Sequence, residues 1–406
     1  LDGVSATSAL ELGIDVGRLD AAIINGFPGT ITSLWQQAGR AGRRDRDAIA
    51  IFIAGEDPLD QYYVQHPEYL FGRGFEEAII DLGNPYILAR HVKAAAYELP
   101  LEDRDLDFFG PAFGEVALAL ADAGELKAGG KRVFFVGMGF PAAGSIRGTS
   151  GEECAIVEAT GEIVGTAGLE RAPFDLYPGA VYLHGGETFV IKELDLSSKV
   201  ALAERADVDY YTQLKKETAI SIDEIIDDKK LSGGATHFGK VTVESDILGF
   251  QKVKTSTGQP MDFEELDLPT VRFSTEAFWF AVPDAADMGL SPYEFAGGLH
   301  ALEHAAIALL PAFGMCDRWD IGGVSTPLHP ELEAPAVFIY DGYEGGMGIA
   351  LRGFLALEEL LRSVDSHLRS CPCESGCPSC VQSPKCGNLN EPLDKGAAMA
   401  ILRGIA

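Results

Sequence analysis

Five of the chain's seven cysteines fall within sixteen residues: Cys371, Cys373, Cys377, Cys380 and Cys386. A cluster this dense restricts folding more than any other feature, because a structural metal site supplies folding free energy and fixes the chain around it. The spacing is not that of a secreted disulfide scaffold, and it points to metal binding in a reducing cytoplasm. Cys377-x-x-Cys380 is a knuckle whose two sulfurs can face one ion, and Cys386-Gly387 offers another ligand held on a turn. Zinc in a structural site takes four thiolates in a tetrahedron, so five candidates leave one over. The expected set is Cys377, Cys380 and Cys386, completed by Cys371 or Cys373. A redox pair or an iron–sulfur cluster is the alternative. Nothing nearby resembles the βαβ unit of a redox Cys-x-x-Cys, and Zn2+ is therefore the expected cofactor. Cys154 and Cys316 stand alone in apolar surroundings and read as buried core thiols.

With 406 residues, 47% of them hydrophobic, the chain can bury several cores. The pattern predicts an α/β multidomain protein. Residues 1–56 read as strand, helix and strand (Ala21–Ile24, Ser33–Gly42, Ala48–Ile53), the end of a parallel sheet whose remainder is absent. Residues 57–140 read as helices (Tyr86–Tyr97, Phe113–Leu120) followed by a hairpin turning at Gly129-Gly130, the outline of a winged helix. Residues 141–255 carry short strands separated by glycine (Ala155–Glu158, Ile163–Gly165, Ala180–Leu183, Thr188–Ile191) and read as a small β-barrel, with Ile222–Leu231 as a mobile loop. Residues 256–406 read as a mixed α/β domain ending in the cysteine cluster.

Two segments near the start carry a family pattern. One runs from Ala6 through Thr7, Ser8, Glu11, Gly13 and Asp15 to Gly17, and the other is Gln36-Gln37-Ala38-Gly39-Arg40-Ala41-Gly42-Arg43. In order, and with an apolar strand between them, they resemble motifs V and VI of superfamily 2 helicases. The chemistry suits the residue types, since a planar cation supplied by a second domain stabilises the charge spread over a transferred γ-phosphate. The resemblance implies that Arg40 and Arg43 are those cations, Arg43 foremost, with Gln36 orienting them or the nucleotide. Gly39 and Gly42 let the backbone approach closely. Thr7 and Ser8 match positions that contact the nucleic-acid backbone, and Gly13 and Asp15 belong to the side that couples to ATP. Glu11 reads equally as structural or functional. The sequence holds no Gly-x-x-x-x-Gly-Lys-Ser/Thr loop and no Asp-Glu-x-His box. ATP and Mg2+ are therefore expected only together with a first RecA-like domain lying upstream, which would be a partner of this chain.

Further segments, Phe278-Trp279-Phe280, Gly298–His304, Asp320–Gly323 and Tyr340–Gly342, precede Cys-Pro-Ser-Cys and Ser-Pro-Lys-Cys-Gly-Asn. Together they resemble the zinc-binding C-terminal domain of the MrfA-type helicases, bacterial relatives of a eukaryotic RecQ-like group. The resemblance implies an ATP-dependent translocase moving 3′ to 5′ on single-stranded DNA in DNA repair. In that setting Lys127, Lys131 and Arg132 of the wing would guide the strand. Phe134 and Phe135 read as wing packing in preference to a stacking surface.

Two rival classes follow from other features. His300-x-x-Glu303-His304 matches the His-x-x-Glu-His pattern of zinc metallohydrolases, with both histidines on one helical face and Asp320, Asp341 or Glu344 as third-ligand candidates. A buried helix with hydrogen-bonded histidines explains the same string. A non-catalytic nucleic-acid-binding module would instead use Arg40 and Arg43 on phosphates. The net charge of −29 argues weakly against DNA, because phosphate contacts need a local cluster such as Arg40, Arg43, Arg44 and Arg46 and not a basic total. No apolar run is long enough for a membrane span, and the start at Leu1 has no signal-peptide pattern and reads like the middle of a longer protein. The chain is expected to be a monomer in the cytoplasm, associated with the nucleoid.

Overall fold

The computed structural model describes residues 3–11, 19–42, 47–72, 74–76, 78–141, 151–231 and 234–405. Ala21–Asn25 and Ile49–Ile53 pair in parallel, Ala21 opposite Ile49, with the helix Ile31–Ala38 as their crossover. Thr30 starts that helix, its hydroxyl accepting the Ser33 N–H at 3.0 Å. The next helix, Pro58–Gln65, turns away from the winged helix that the sequence assigns it to. Tyr62 and Tyr63 are almost wholly buried in the core of the C-terminal domain, and the Tyr62 hydroxyl donates to Ser363 Oγ at 3.0 Å. Buried Asp60 accepts the N–H groups of Phe27 (3.0 Å) and Gly55 (2.7 Å), tying together the loops that leave both parallel strands. Aromatic burial here outweighs sequence proximity, so the parallel strand pair and the C-terminal domain share one core.

The winged helix has its own core, Leu88, Val92, Ala96, Leu101, Phe113, Val116, Leu120 and Leu126, formed by Pro85–Glu98, Phe113–Asp122 and the hairpin Leu126–Gly129 with Arg132–Phe135. The hairpin turns at Gly130, whose φ of +67° suits glycine. Asn84 begins the first helix by accepting the Tyr86 and Ile87 N–H groups, and its own amide donates to the Glu344 carbonyl at 3.0 Å. One side chain thus caps the helix and fastens it to the last domain.

The small β-domain is a near-closed barrel of five strands, in spatial order Ile163–Gly168, Glu153–Glu158, Val200–Arg205, Glu187–Asp195 and Val181–His184. Cys154, Ile156, Phe189, Ile191 and Ala201 fill it, and Cys154 is the core thiol expected of it. Val200–Arg205, absent from the sequence expectation, is its central strand.

The six-stranded sheet of the C-terminal domain begins earlier than residue 256. Tyr210–Leu231 and Gly234–Lys254 form a long antiparallel hairpin, and the second arm pairs with Val271–Ala281 and with Pro260–Glu265. Ala334–Asp341 and Ile321–His329 complete the sheet. Ile222–Leu231, expected as a mobile loop, is therefore strand. It lies at the sheet edge, where charged side chains face water, and two register shifts near Ile222 and Ile225 break the alternation that would have revealed it.

Against this sheet pack Pro292–Leu309 and Ile349–Ser370, and Lys395–Ile405 packs in turn on those two helices. The first and last cross closely at Gly298, where a Cβ would sit 2.7 Å from Ala397 Cβ. Asp341, fully buried, accepts the N–H groups of Met347 (2.5 Å), Ile349 (3.2 Å) and Ala350 (2.6 Å), and so caps the Ile349–Ser370 helix from the sheet. None of the described helices is long and apolar enough to cross a membrane.

Candidate functional site

The Ile349–Ser370 helix ends directly at Cys371, and the chain then winds back on itself before Lys395. Within that turn the sulfurs of Cys371, Cys373, Cys377 and Cys380 converge. Four of their separations are 3.6 Å (Cys371–Cys373), 3.6 Å (Cys371–Cys377), 3.5 Å (Cys373–Cys380) and 3.7 Å (Cys377–Cys380). Four thiolates bound tetrahedrally to one zinc at its usual bond length lie about 3.8 Å apart, so the cluster fits that ion. Burial pushes the Cys380 thiol up, and a cation at its sulfur offsets that cost. The Cys377 N–H donates to Cys380 Sγ at 3.3 Å. The buried Lys395 ammonium donates to the Cys371 and Cys373 carbonyls at 2.7 Å each and stands 3.7 Å from Cys373 Sγ. Zinc here would hold the turn in shape and present no open position.

This set differs from the one expected in the sequence. Cys371 and Cys373 both belong to it, and Cys386 does not. Cys386 lies against the Pro292–Leu309 helix, its Sγ 3.3 Å from His300 Nε2, in a second group with His300 and His304. Cys386-Gly387 reads in the sequence as another turn-held ligand of the same ion, but the intervening turn carries it to another place. His300 Nδ1 bonds the Pro392 carbonyl and His304 Nδ1 the Val381 carbonyl, each at 2.8 Å. Burial, and then His300 beside it, press the His304 imidazole down to about 3. The acids considered as third ligands for these histidines are engaged elsewhere: Asp341 caps a helix, and Asp320 accepts the Tyr343 hydroxyl at 2.8 Å and the Asp317 N–H at 2.7 Å. Glu344 meets Tyr86. Cys386, not an acid, is the third donor beside the histidines, which the sequence did not reveal because its four sister cysteines claimed it.

At the other end of the chain, Gln36 is exposed on the Ile31–Ala38 helix and Gly39 closes it. Glu11 joins the two motif segments: its carboxylate accepts from Ser33 Oγ at 2.7 Å and Gln37 Nε2 at 3.0 Å, and its carbonyl accepts from the Arg40 guanidinium. Thr7 and Ser8 are exposed at the start of a short turn of helix. Gly42 has a φ of +78° and donates to the Leu19 carbonyl at 3.0 Å. Gly13, Asp15 and Arg43 lie outside the described residues. On the wing, Lys127 and Lys131 are exposed, while Arg132 pairs with Glu102 at 2.8 Å. Phe135 packs edge-on against Tyr97, and Phe134 is 41% exposed.

Three family models match in the order of these parts: the helicase conserved C-terminal domain over residues 2–45, the winged helix domain of ATP-dependent helicase HRQ1 over 80–131, and the MrfA zinc-binding domain over 302–381. The chain belongs to the MrfA/HRQ1-type helicases of superfamily 2. Within that family it matches the C-terminal part, zinc-binding domain included. It is similar to the ATP-dependent helicase YprA of Bacillus subtilis, 35% identical over 93% of this chain and 51% of that protein. It also matches ATP-dependent helicase HRQ1 of Saccharomyces cerevisiae at 29% identity, over 100% of this chain and 40% of that one. A crystal structure of helicase MrfA bound to DNA shares its fold with a TM-score of 0.58 and 33% identity, covering 98% of this chain and 53% of that chain. The chain spans about half the length, or less, of the YprA and HRQ1 helicases it matches. The mixed α/β architecture is consistent with the MrfA fold, and the zinc-binding-domain match together with this chain's four-cysteine cluster supports Zn2+ as its cofactor.

Proposed function

We propose that this chain works as the C-terminal part of an ATP-dependent DNA helicase that moves 3′ to 5′ on single-stranded DNA in DNA repair. One observation carries the reading. The two motif segments are bound to each other through Glu11, on a parallel strand pair whose Ile23, Ile49, Ile51 and Ile53 remain exposed. An exposed apolar face of this kind is what a complete RecA-like domain would cover with its further helices. Arg40 and Arg43 then act on the γ-phosphate of ATP held with Mg2+ by the first RecA-like domain, Gln36 orients them, and Gly13, Asp15 and Gly39 shape the nucleotide side. Thr7 and Ser8 touch the DNA backbone, with Lys127, Lys131 and Arg132 of the wing. The protein acts as a monomer in the cytoplasm, at the nucleoid.

Sharing one core between the motif-bearing sheet and the zinc domain gives the arrangement mechanical sense, because a movement of the ATPase part carries the zinc domain with it. The chain alone has no phosphate loop, so it is expected to bind DNA without hydrolysing ATP. Purified chain should show no DNA-stimulated ATP turnover. The protein carrying both RecA-like domains should separate a duplex with a 3′ single-stranded tail and not one with a 5′ tail. Turnover by the chain alone, or the opposite tail preference, contradicts the proposal.

A further inference from the structure

We propose that His300, His304 and Cys386 form a second metal site, separate from the four-cysteine site, which takes a borderline-soft divalent cation of the zinc class and leaves one coordination position open to a cleft. The donor set is two imidazoles and one thiolate, which suits zinc. Their three donor atoms lie within 4.8 Å of one another and all three residues are buried. The His300 Nε2 to Cys386 Sγ separation of 3.3 Å is close to the ~3.5 Å between a nitrogen and a sulfur bound tetrahedrally to one zinc.

The surroundings are arranged as they are around metal-bound histidines. Each Nδ1 is occupied by a main-chain carbonyl at 2.8 Å, which fixes the ring and leaves Nε2 as the donor. His300 and His304 stand one helical turn apart on one face, with ring centroids 4.2 Å apart. Cys386 is prepared independently of them. Its sulfur accepts the backbone N–H groups of Asn388 at 3.4 Å and Asn390 at 3.3 Å, which fix its position. The turn that allows it places Leu389 and Asn390 at φ of +56° and +63°. A left-handed pair of non-glycine residues is costly and marks a conformation held for a reason.

The three residues line a cleft of 730 Å³ together with Glu303, Lys216 and Lys385. No fourth protein donor converges with them among the described residues, so water or a small anion would complete the tetrahedron from the cleft side. The two metal sites touch through one residue: Val381, whose carbonyl holds His304, follows Cys380 of the first site.

The test is metal stoichiometry of the purified chain, loaded with zinc, dialysed against metal-free buffer and measured by elemental analysis. Two zinc ions per chain are expected, falling to one in Cys386→Ser and in His304→Gln while the four-cysteine ion stays. Cobalt(II) loading should likewise give two equivalents of tetrahedral absorption in the wild type and one in each variant. A wild-type count of one zinc overturns the proposal, whether or not either variant folds. So does a count of two that neither variant lowers, because the second ion would then sit elsewhere.

Discussion

Replacing Lys395 by methionine tests why an ammonium is buried beside four cysteines. A zinc centre held by four thiolates carries two negative charges, so each sulfur bears about half a charge. Lys395 Nζ lies 3.7 Å from Cys373 Sγ. At an effective dielectric of about 20, a unit charge at that distance from half a charge gains roughly 2 kcal/mol. That corresponds to roughly 40-fold in zinc affinity, within the about 10- to 100-fold range for groups that support metal ligands. Methionine keeps most of the apolar volume and removes only the charge and the bonds to the Cys371 and Cys373 carbonyls. Competition with a chromophoric chelator measures affinity, and circular dichroism checks that the helices persist. The expected outcome is an affinity tens of fold weaker on an intact fold. An affinity within threefold of wild type would refute the electrostatic reasoning and reduce Lys395 to a brace for two carbonyls.

Burial first, then Asp341 and Asp81, push the Glu276 carboxyl up to about 7 from 4.5. A carboxyl raised on folding stabilises fully below the lower value and loses that contribution as pH climbs through the upper one. Glu276→Gln should therefore flatten the stability profile between about pH 4.5 and 7 and be more stable than wild type above it, by about 1–3 kcal/mol. Urea midpoints at both ends of that window decide it, and parallel profiles would contradict it. Asp341→Ala strips the cap from Ile349–Ser370 and leaves amides unpaired in the interior, at a cost of about 3–5 kcal/mol by urea denaturation. Asp341→Asn should recover part of it. On the wing, a Lys127→Ala/Lys131→Ala double variant should weaken DNA binding alike for all sequences and lower the salt slope by about 2. Arg132→Ala should do less, because Glu102 already holds that guanidinium.

Most of the architecture could be read from the residues where local pattern and tertiary role agree. The parallel strand pair, the Pro85–Glu98 helix and the wing hairpin all fall where periodicity and glycine turns place them. The failures have physical causes. Tyr62 and Tyr63 belong to a core completed some three hundred residues later, which no local window sees. Ile222–Leu231 is disguised as a loop by its edge charges and bulges. Cys386 was counted with the nearest cysteines in sequence, although the fold places it with a helix that begins at Pro292. Spacing identifies which residues can bind a metal; the turn between them decides which ones share it.

In the proposed helicase role this chain brings the arginine half of an ATPase site. In the protein carrying both RecA-like domains, Arg43→Ala should be compared with wild type for DNA-stimulated ATP turnover and for single-stranded DNA affinity at fixed salt. Turnover should fall by about 10³-fold or more while DNA affinity stays within about threefold. Retained turnover with a matching loss of DNA affinity would contradict it, and would make this arginine a grip on phosphate.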